Sequence, residues 1–460
     1  MKKFVAIAFV IGCLVDVQAQ NQDSIFIKRI ADEILMNGVA YDNLRILTKQ
    51  IGARLSGSPQ MVKAELWGAK ALKDAGADSV WMQQCMVPHW VRGGKDEAAA
   101  LYTTGKIKDK KKLAVTALGN SVGSLKPVQG TVVEVKSFDD LVKKKDQVKD
   151  KIVFYNYRFK STFIRTDDAY SDAHAYRTNG PAEAARHGAK AVIVRSMTHT
   201  PGNDPHTGMT TYVDSLPKLP AVAIGLDDAD WLSKQLQKTE VAVSLLTHGK
   251  FLPDTIGHNV IGELRGSEFP NEYIVVGAHL DSWDLAEGAH DDGAGIVQSI
   301  EVLRSFKALG YKPKRTIRFV FFANEENGGR GADKYLEDAR AKKEQHLFAL
   351  ESDNGGFTPR GFKIKASALQ KQKMWIWMSL LNDYGSYEIS DGAGSDVQKL
   401  YDALGVPAGA FYPDSQRYFD VHHAKTDVFE SVNKRELELG AINMAGLIYL
   451  VDKYGLPLSP

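Results

Sequence analysis

The run Tyr273-Ile274-Val275-Val276-Gly277-Ala278-His279-Leu280-Asp281 decides how the chain folds. Its apolar, largely β-branched opening predicts a buried strand, and two small residues then hand over to an imidazole and a carboxylate. After the polar stretch Gly288-Ala289-His290-Asp291-Asp292-Gly293, apolar residues recur at Ile296, Ile300, Leu303 and Phe306. That spacing predicts an amphipathic helix over Gly293–Leu309, stopped by Gly310. Strand, short polar connection and helix form the unit of an α/β sheet covered on both faces. Ile317–Phe322 and Leu347–Leu350 repeat the strand pattern, so a mixed, mainly parallel sheet is expected from about residue 250 to the end.

Upstream the texture changes. Ile25, Ile27, Ile30 and Ile34, then Leu44, Leu47 and Ile51, recur at helical intervals, and strand-like residues follow Gly76. The segment 129–249 is β-rich, with short runs at Gly130–Val135, Lys151–Tyr157, Ala189–Val194 and Ala221–Ile224 and a helix over Pro181–His187. Ser196–Tyr212, rich in Thr, Pro and Gly, predicts a loop that is mobile or at an edge. The expected organisation is a leader over 1–19, a first part of the main domain over 20–128, an inserted lobe over 129–249 and the remainder over 250–460. A chain of 460 residues exceeds what one core usually organises, which agrees with an insertion.

Composition narrows the function classes. With 58 basic and 56 acidic residues and a net charge of +2, no global field selects nucleic acid or an anionic membrane. Lys108–Lys112 reads as a solvated loop. Lys2 and Lys3 ahead of the apolar run Phe4–Val15, with Val17-Gln18-Ala19 offering a cleavage site, predict a signal peptide and an exported, periplasmic or secreted protein. The alternative is lipid anchoring through Cys13, which Val10-Ile11-Gly12-Cys13 would permit. No later stretch reaches the roughly 20 apolar residues of a membrane span. Cleavage after Ala19 leaves Cys85 alone, so the reading for Cys85 is a buried small hydrophobe.

Ligand-type side chains gather where the predicted strands end. His279 and Asp281 follow the first strand, Asn324-Glu325-Glu326 follows Ile317–Phe322, and Glu351-Ser352-Asp353 follows Leu347–Leu350; Asp291 and Val421-His422-His423 complete the set. In open α/β sheets, loops at the carboxyl ends of strands bind ligands. Imidazole and carboxylate together suit zinc when thiolates are absent. Two ions about 3.5–4 Å apart need a shared carboxylate, and Asp291, at the start of a helix, is placed to bridge. Adjacent glutamates point differently, so one can hold metal while the other faces an attacking water. Each residue also has an ordinary reading as a solvated strand end, helix cap or turn; the expectation of a site rests on their joint occurrence. In the loop Tyr412–Phe419, Arg417 and Tyr418 are candidate substrate contacts.

These segments resemble peptidase family M28, the co-catalytic zinc peptidases, and within it the branch of plasma glutamate carboxypeptidases. The likeness runs through His279–Asp284 and Gly288–Gly293, takes in Glu325-Glu326, Glu351–Asp353 and His422-His423 in family order, and extends to Ile51–Ser58 and Val87–Gly93. It implies a three-layer α/β peptidase domain of the phosphorylase/hydrolase-like kind with an inserted protease-associated domain. It also implies two Zn2+ per chain, one on His279, Asp291 and Asp353 and the other on Asp291, Glu326 and His423. His423 is preferred to His422 because the family pattern has an acidic residue four positions after the ligand, which Asp427 supplies. Glu325 is the implied general base, Asp281 orients the His279 ring, His422 lines the substrate pocket, and a cis peptide follows Asp291. The implied activity is hydrolysis of short peptides or dipeptides by an aminopeptidase or dipeptidase, in a chain that forms a homodimer. The alternatives are a carboxypeptidase acting on dipeptides, a glutaminyl-cyclase-like acyltransferase needing one metal, and a non-catalytic receptor-like binding protein.

Overall fold

A computed structural model describes residues 21–457; the expected leader, with Cys13, lies outside the described residues. The first sheet consists of β1 (Ser79–Val91), β10 (Lys250–Leu264), β12 (Arg315–Phe322), β11 (Phe269–His279), β13 (Gln345–Glu351), β16 (Ala408–Pro413), β14 (Pro359–Lys365) and β15 (Glu388–Ser390), in side-by-side order. β12, β11, β13 and β16 run parallel, while β10 meets β12, and β14 meets β16, antiparallel.

The period of two in the strands builds the layers. Ile274, Val276 and Ala278 of β11, with Ile317, Phe319 and Phe321 of β12, pack on the helices Pro59–Asp74, Ala294–Ala308 and Lys434–Tyr454. Val275, Val320 and Phe322 point to the opposite face, against Ala332, Tyr335, Val397 and Leu400 of the helices Arg330–Lys342 and Ser395–Leu404. The result is the expected three-layer α/β arrangement around a mixed, mainly parallel sheet.

Between β1 and β10 the chain leaves to build a second sheet and then returns. Its side-by-side order is β3 (Ile107–Leu113), β2 (Glu97–Thr104), β9 (Ala242–Leu246), β5 (Val128–Val135), β6 (Ile152–Tyr155), β7 (Ala191–Arg195), β8 (Ala221–Ile224) and β4 (Val115–Ala117). Exit and return lie side by side, because β1 and β10 pair antiparallel from Ser79↔Glu263 to Val91↔Lys250. The excursion therefore begins near Glu97, upstream of the boundary at 129 drawn from sequence. Lys108–Lys112 is the largely exposed strand β3 at the edge of that sheet, not a loop; lysines on an edge discourage pairing with further strands.

The segment 196–212 also departs from expectation. Ser196, Thr198, His206, Thr207 and Thr210 are buried, and the Thr207 N–H donates to His423 O at 2.9 Å. Cys85 is buried as expected, and burial pushes its thiol up to about 12. Among the described residues, no helix is long and apolar enough to cross a membrane.

Candidate metal centre

His279 is the last residue of β11, and Asp353 follows β13. Because the two strands are parallel neighbours, their ends deliver both side chains to one spot. His279 Nε2 lies 3.3 Å from Asp353 Oδ1 and 3.3 Å from Asp291 Oδ1. Asp291 comes from the turn Ala289–Gly293 ahead of the helix Ala294–Ala308, and the Asp291-Asp292 peptide is cis. Its other oxygen, Oδ2, faces His423 Nε2 at 3.2 Å, and His423 Nε2 is 3.2 Å from Glu326 Oε2. Asp291 thus stands between a His279–Asp353 group and a His423–Glu326 group.

The surroundings fix each donor. His279 Nδ1 faces the backbone oxygen of Asp281 at 3.1 Å, whereas the Asp281 carboxylate is 3.8 Å away. The hydrogen bond from the ring thus goes to the Asp281 backbone, with the carboxylate that the resemblance assigned to orienting the ring alongside it. The same carboxylate accepts the N–H groups of Glu325 at 3.0 Å and Glu326 at 3.3 Å, aligning the glutamate pair. Asp427 accepts the N–H groups of His290 at 2.7 Å and Asp291 at 3.1 Å, which steadies the turn. Asp292 is spoken for by the N–H groups of His279 and Gly295. Asp292 can still complete a cluster with His279 and Asp353, and His422 one with Asp291 and His423, so both groups contain enough donors for a cation.

Carboxylates outnumber cations here, and the titration behaviour follows. Burial, reinforced by Asp291, pushes Glu326 up to about 8; burial lifts Asp353 to about 6 and Asp427 to about 7. Burial opposes a charged His423 ring, yet Glu326 and Asp291 raise it to about 10. Asp291 is held well below the usual range: burial works against its ionised form, and the His279 and His423 rings overcome it. Burial keeps His422 neutral. Asp291 Oδ2 is buried and makes no hydrogen bond of acceptable geometry, despite the proximity of His423.

Above the cluster lies a cavity of about 330 Å³ walled by Asp291, Glu325, Glu326, Asp353, His422, His423 and Tyr418. Arg417 is outside it: exposed, paired with Glu436 at 2.9 Å and lying over the Phe357 ring. The second sheet's part of the chain supplies Asp167, Tyr170 and Arg177 to the wall, and β14 supplies Lys363, which pairs with Asp167 at 2.6 Å. None of these four was flagged by sequence, because each matters only through a contact with a distant segment.

Imidazoles and carboxylates converging at the carboxyl ends of parallel strands, with a spare glutamate open to the same cavity, are the equipment of a metallo-exopeptidase. Peptidase family M28 is matched over residues 259–448. Carboxypeptidase Q of Homo sapiens is 34% identical over 417 residues, covering 90% of this chain and 85% of that protein. The chain belongs to peptidase family M28. A Peptidase M28 precursor from Shewanella amazonensis superposes with a TM-score of 0.89 at 31% identity, covering 96% of this chain and all of that one. An aminopeptidase from Aneurinibacillus sp. strain AM-1 shares the fold, with a TM-score of 0.65 at 21% identity over 94% of this chain and 98% of that one.

Proposed function

We propose that the chain is an exported di-zinc exopeptidase that cleaves dipeptides and other short peptides, with Glu325 as general base. The observation that carries this reading is the set of four contacts of 3.2–3.3 Å around Asp291. Ligands bound at about 2.0–2.1 Å to a tetrahedral zinc lie about 3.3–3.4 Å from each other, as the edge of a tetrahedron requires. His279, Asp353 and Asp291 would hold one ion; His423, Glu326 and Asp291 would hold the other.

The ions would supply an acidified water and a Lewis acid for the scissile carbonyl. Glu325, whose backbone Asp281 anchors, takes the proton from the attacking water on its carboxylate and returns it to the leaving amine. His422, neutral and stacked on His423 at 3.6 Å, and Tyr418 bound the carbonyl side of the cavity. Arg177 favours substrates with a free carboxyl terminus. It is buried, its Nη2 donates to Tyr170 Oη at 2.6 Å, its Nε has no partner, and among the described residues it forms no ion pair. A buried guanidinium in a substrate wall calls for an anion, and the carboxylate of a short peptide meets that need. This favours a dipeptidase over an aminopeptidase indifferent to the far end of its substrate. The lobe that carries Arg177 we assign as a protease-associated domain, its role being to close the cavity.

Metal analysis of the purified protein tests the reading: two zinc ions per chain are expected, and one would favour an acyltransferase. Glu325→Gln should keep both ions and lower turnover by roughly 10²–10⁴-fold; near-normal turnover would remove Glu325 from the role.

A further inference from the structure

The segment Ile51–Ser58 takes no part in the reaction derived above, yet it lies directly beneath the ligand-bearing loops. Arg54 is fully buried and, among the described residues, pairs with no carboxylate. Its side chain is spent on backbone carbonyls instead: Nε donates to Leu280 O at 2.5 Å, Nη1 to Glu287 O at 2.7 Å and Nη2 to Gly288 O at 3.0 Å. Its own N–H donates to Ser282 Oγ at 3.2 Å. Leu280 and Ser282 belong to the loop that follows His279, whereas Glu287 and Gly288 lead into the turn that presents Asp291.

Carbonyl oxygens from two loops cannot bond to each other, since both only accept; a planar donor with several N–H groups can join them. The local backbone is shaped for this contact. Gly288 adopts φ +59°, and a Cβ there would sit 2.9 Å from Arg54 Nη1 and 2.3 Å from Ser282 Cβ. Through space the positive charge is balanced by Asp427, Asp292, Asp281 and Asp291. Leu55 anchors the segment by packing with Trp90 and Trp283.

A fixed positive charge close to a cation site weakens cation binding by Coulomb repulsion. A tie that holds two ligands at the right separation strengthens it. The two effects differ in sign, so they can be separated. We propose that Arg54 is a positioning residue that ties the loop after β11 to the turn before the helix Ala294–Ala308, fixes the His279–Asp291 separation and so sets the affinity for the metal ion those two side chains share. This rests on the di-zinc reading above.

The test is zinc affinity, measured by competition with a chromophoric chelator, with folding followed by circular dichroism. Arg54→Lys keeps the charge and loses the planar donor set; Arg54→Met loses both. Both variants should bind zinc about 10–100-fold more weakly than the parent protein. Wild-type affinity in Arg54→Lys, or tighter binding in Arg54→Met, would overturn the proposal and leave Arg54 as a counter-charge only. Should either variant fail to fold, Gly288→Ala crowds both Nη1 and Ser282 Cβ with the arginine still present; made alone and together with Arg54→Lys, it should cost less affinity in the double variant than the two losses combined, and fully additive losses, or an unchanged affinity in Gly288→Ala, refute the tie. A parent protein that binds no zinc would instead refute the di-zinc reading, so the two failures are distinguishable.

Discussion

The Arg177 guanidinium stands in the cavity wall without a carboxylate to answer it, its Nη2 donating to Tyr170 Oη and its Nη1 to Thr207 O at 3.4 Å and facing His423 Nδ1 at 3.3 Å. Truncating one partner of a buried charge pair costs about 2–5 kcal/mol, or roughly 30-fold and upward in affinity. Arg177→Met should therefore lower kcat/KM for free-acid dipeptides by at least about 30-fold, chiefly through KM, because the carboxylate is bound alike in ground and transition states. Carboxamide-capped versions of the same dipeptides should lose far less. Equal losses on both substrate sets would remove Arg177 from carboxylate recognition. At this scale the candidate donors that the structure brings together were legible in the sequence, and the residues that support them were not. His279, Glu325, Glu326 and Asp353 could be singled out because strand periodicity located them at strand ends, whereas Asp291 stood at the start of a predicted helix and His423 in a histidine pair, and the family likeness joined them to the set. Arg177 sits in Ala175–Thr178 amid polar residues, with no pattern to mark it, and Asp281 shows its role only through hydrogen bonds to residues in another loop.

The helix Ala294–Ala308 couples the sheet to the site, because it approaches the end of β13 closely enough that only glycine fits. A Cβ on Gly295 would lie 2.0 Å from Ser352 O and 2.5 Å from Asp292 Oδ1. Gly295→Ala must push the helix away from the segment that carries Asp353. Overpacking of this kind costs about 1–3 kcal/mol, and the helix propensity of alanine recovers at most about 1 kcal/mol of it. Urea unfolding should show a lower midpoint together with weaker zinc binding; a more stable variant would mean that the contact yields without strain. The pattern that predicted this helix over Gly293–Leu309 was accurate to a residue at each end, since Ile296, Ile300, Leu303 and Phe306 all reach the core. β3 reads as a loop from sequence, and β2 is covered only by the general strand-like reading after Gly76, because the signal there is weak: Glu97–Thr104 is alanine-rich and Ile107–Leu113 lysine-rich, so neither shows the alternation of a half-buried strand.

Across the whole molecule, the two sheets meet at a cavity whose floor is a crowd of buried carboxylates, and this makes the protonation state of the fold depend on metal. Without metal, burial sets Glu326 and Glu351 at about 8, Asp427 at about 7 and Asp353 at about 6, each above its ordinary value, while Glu326 and Asp291 raise His423 to about 10 against the effect of burial. A group whose pKa is raised by folding adds stability below its unfolded value and loses that contribution as pH climbs through the folded one. All five shifts act in the same sense between pH 5 and 8, whereas His206, His290, His346 and His422, whose values burial lowers from 6.5, act the other way below that value, so the metal-free protein should lose stability as pH rises from about 6.5 to 8. Asp291, shifted the other way, titrates below it. Zinc replaces the protons, which makes binding tighter with rising pH and coupled to proton release. Melting curves with EDTA and with saturating zinc, taken at intervals from pH 5 to 8, should show a Tm gap that widens with pH. Calorimetry near pH 6.5 in two buffers of different ionisation enthalpy should give different apparent heats. A gap that stays constant or narrows, or heats independent of buffer, would mean that the carboxylates are already ionised in the empty site and that the crowding is relieved by some other means. The site's charge was open to counting from sequence alone; its consequence was not, because burial, which moves every one of these groups, arises only when loops some 150 residues apart, such as those of His279 and His423, close over the same floor.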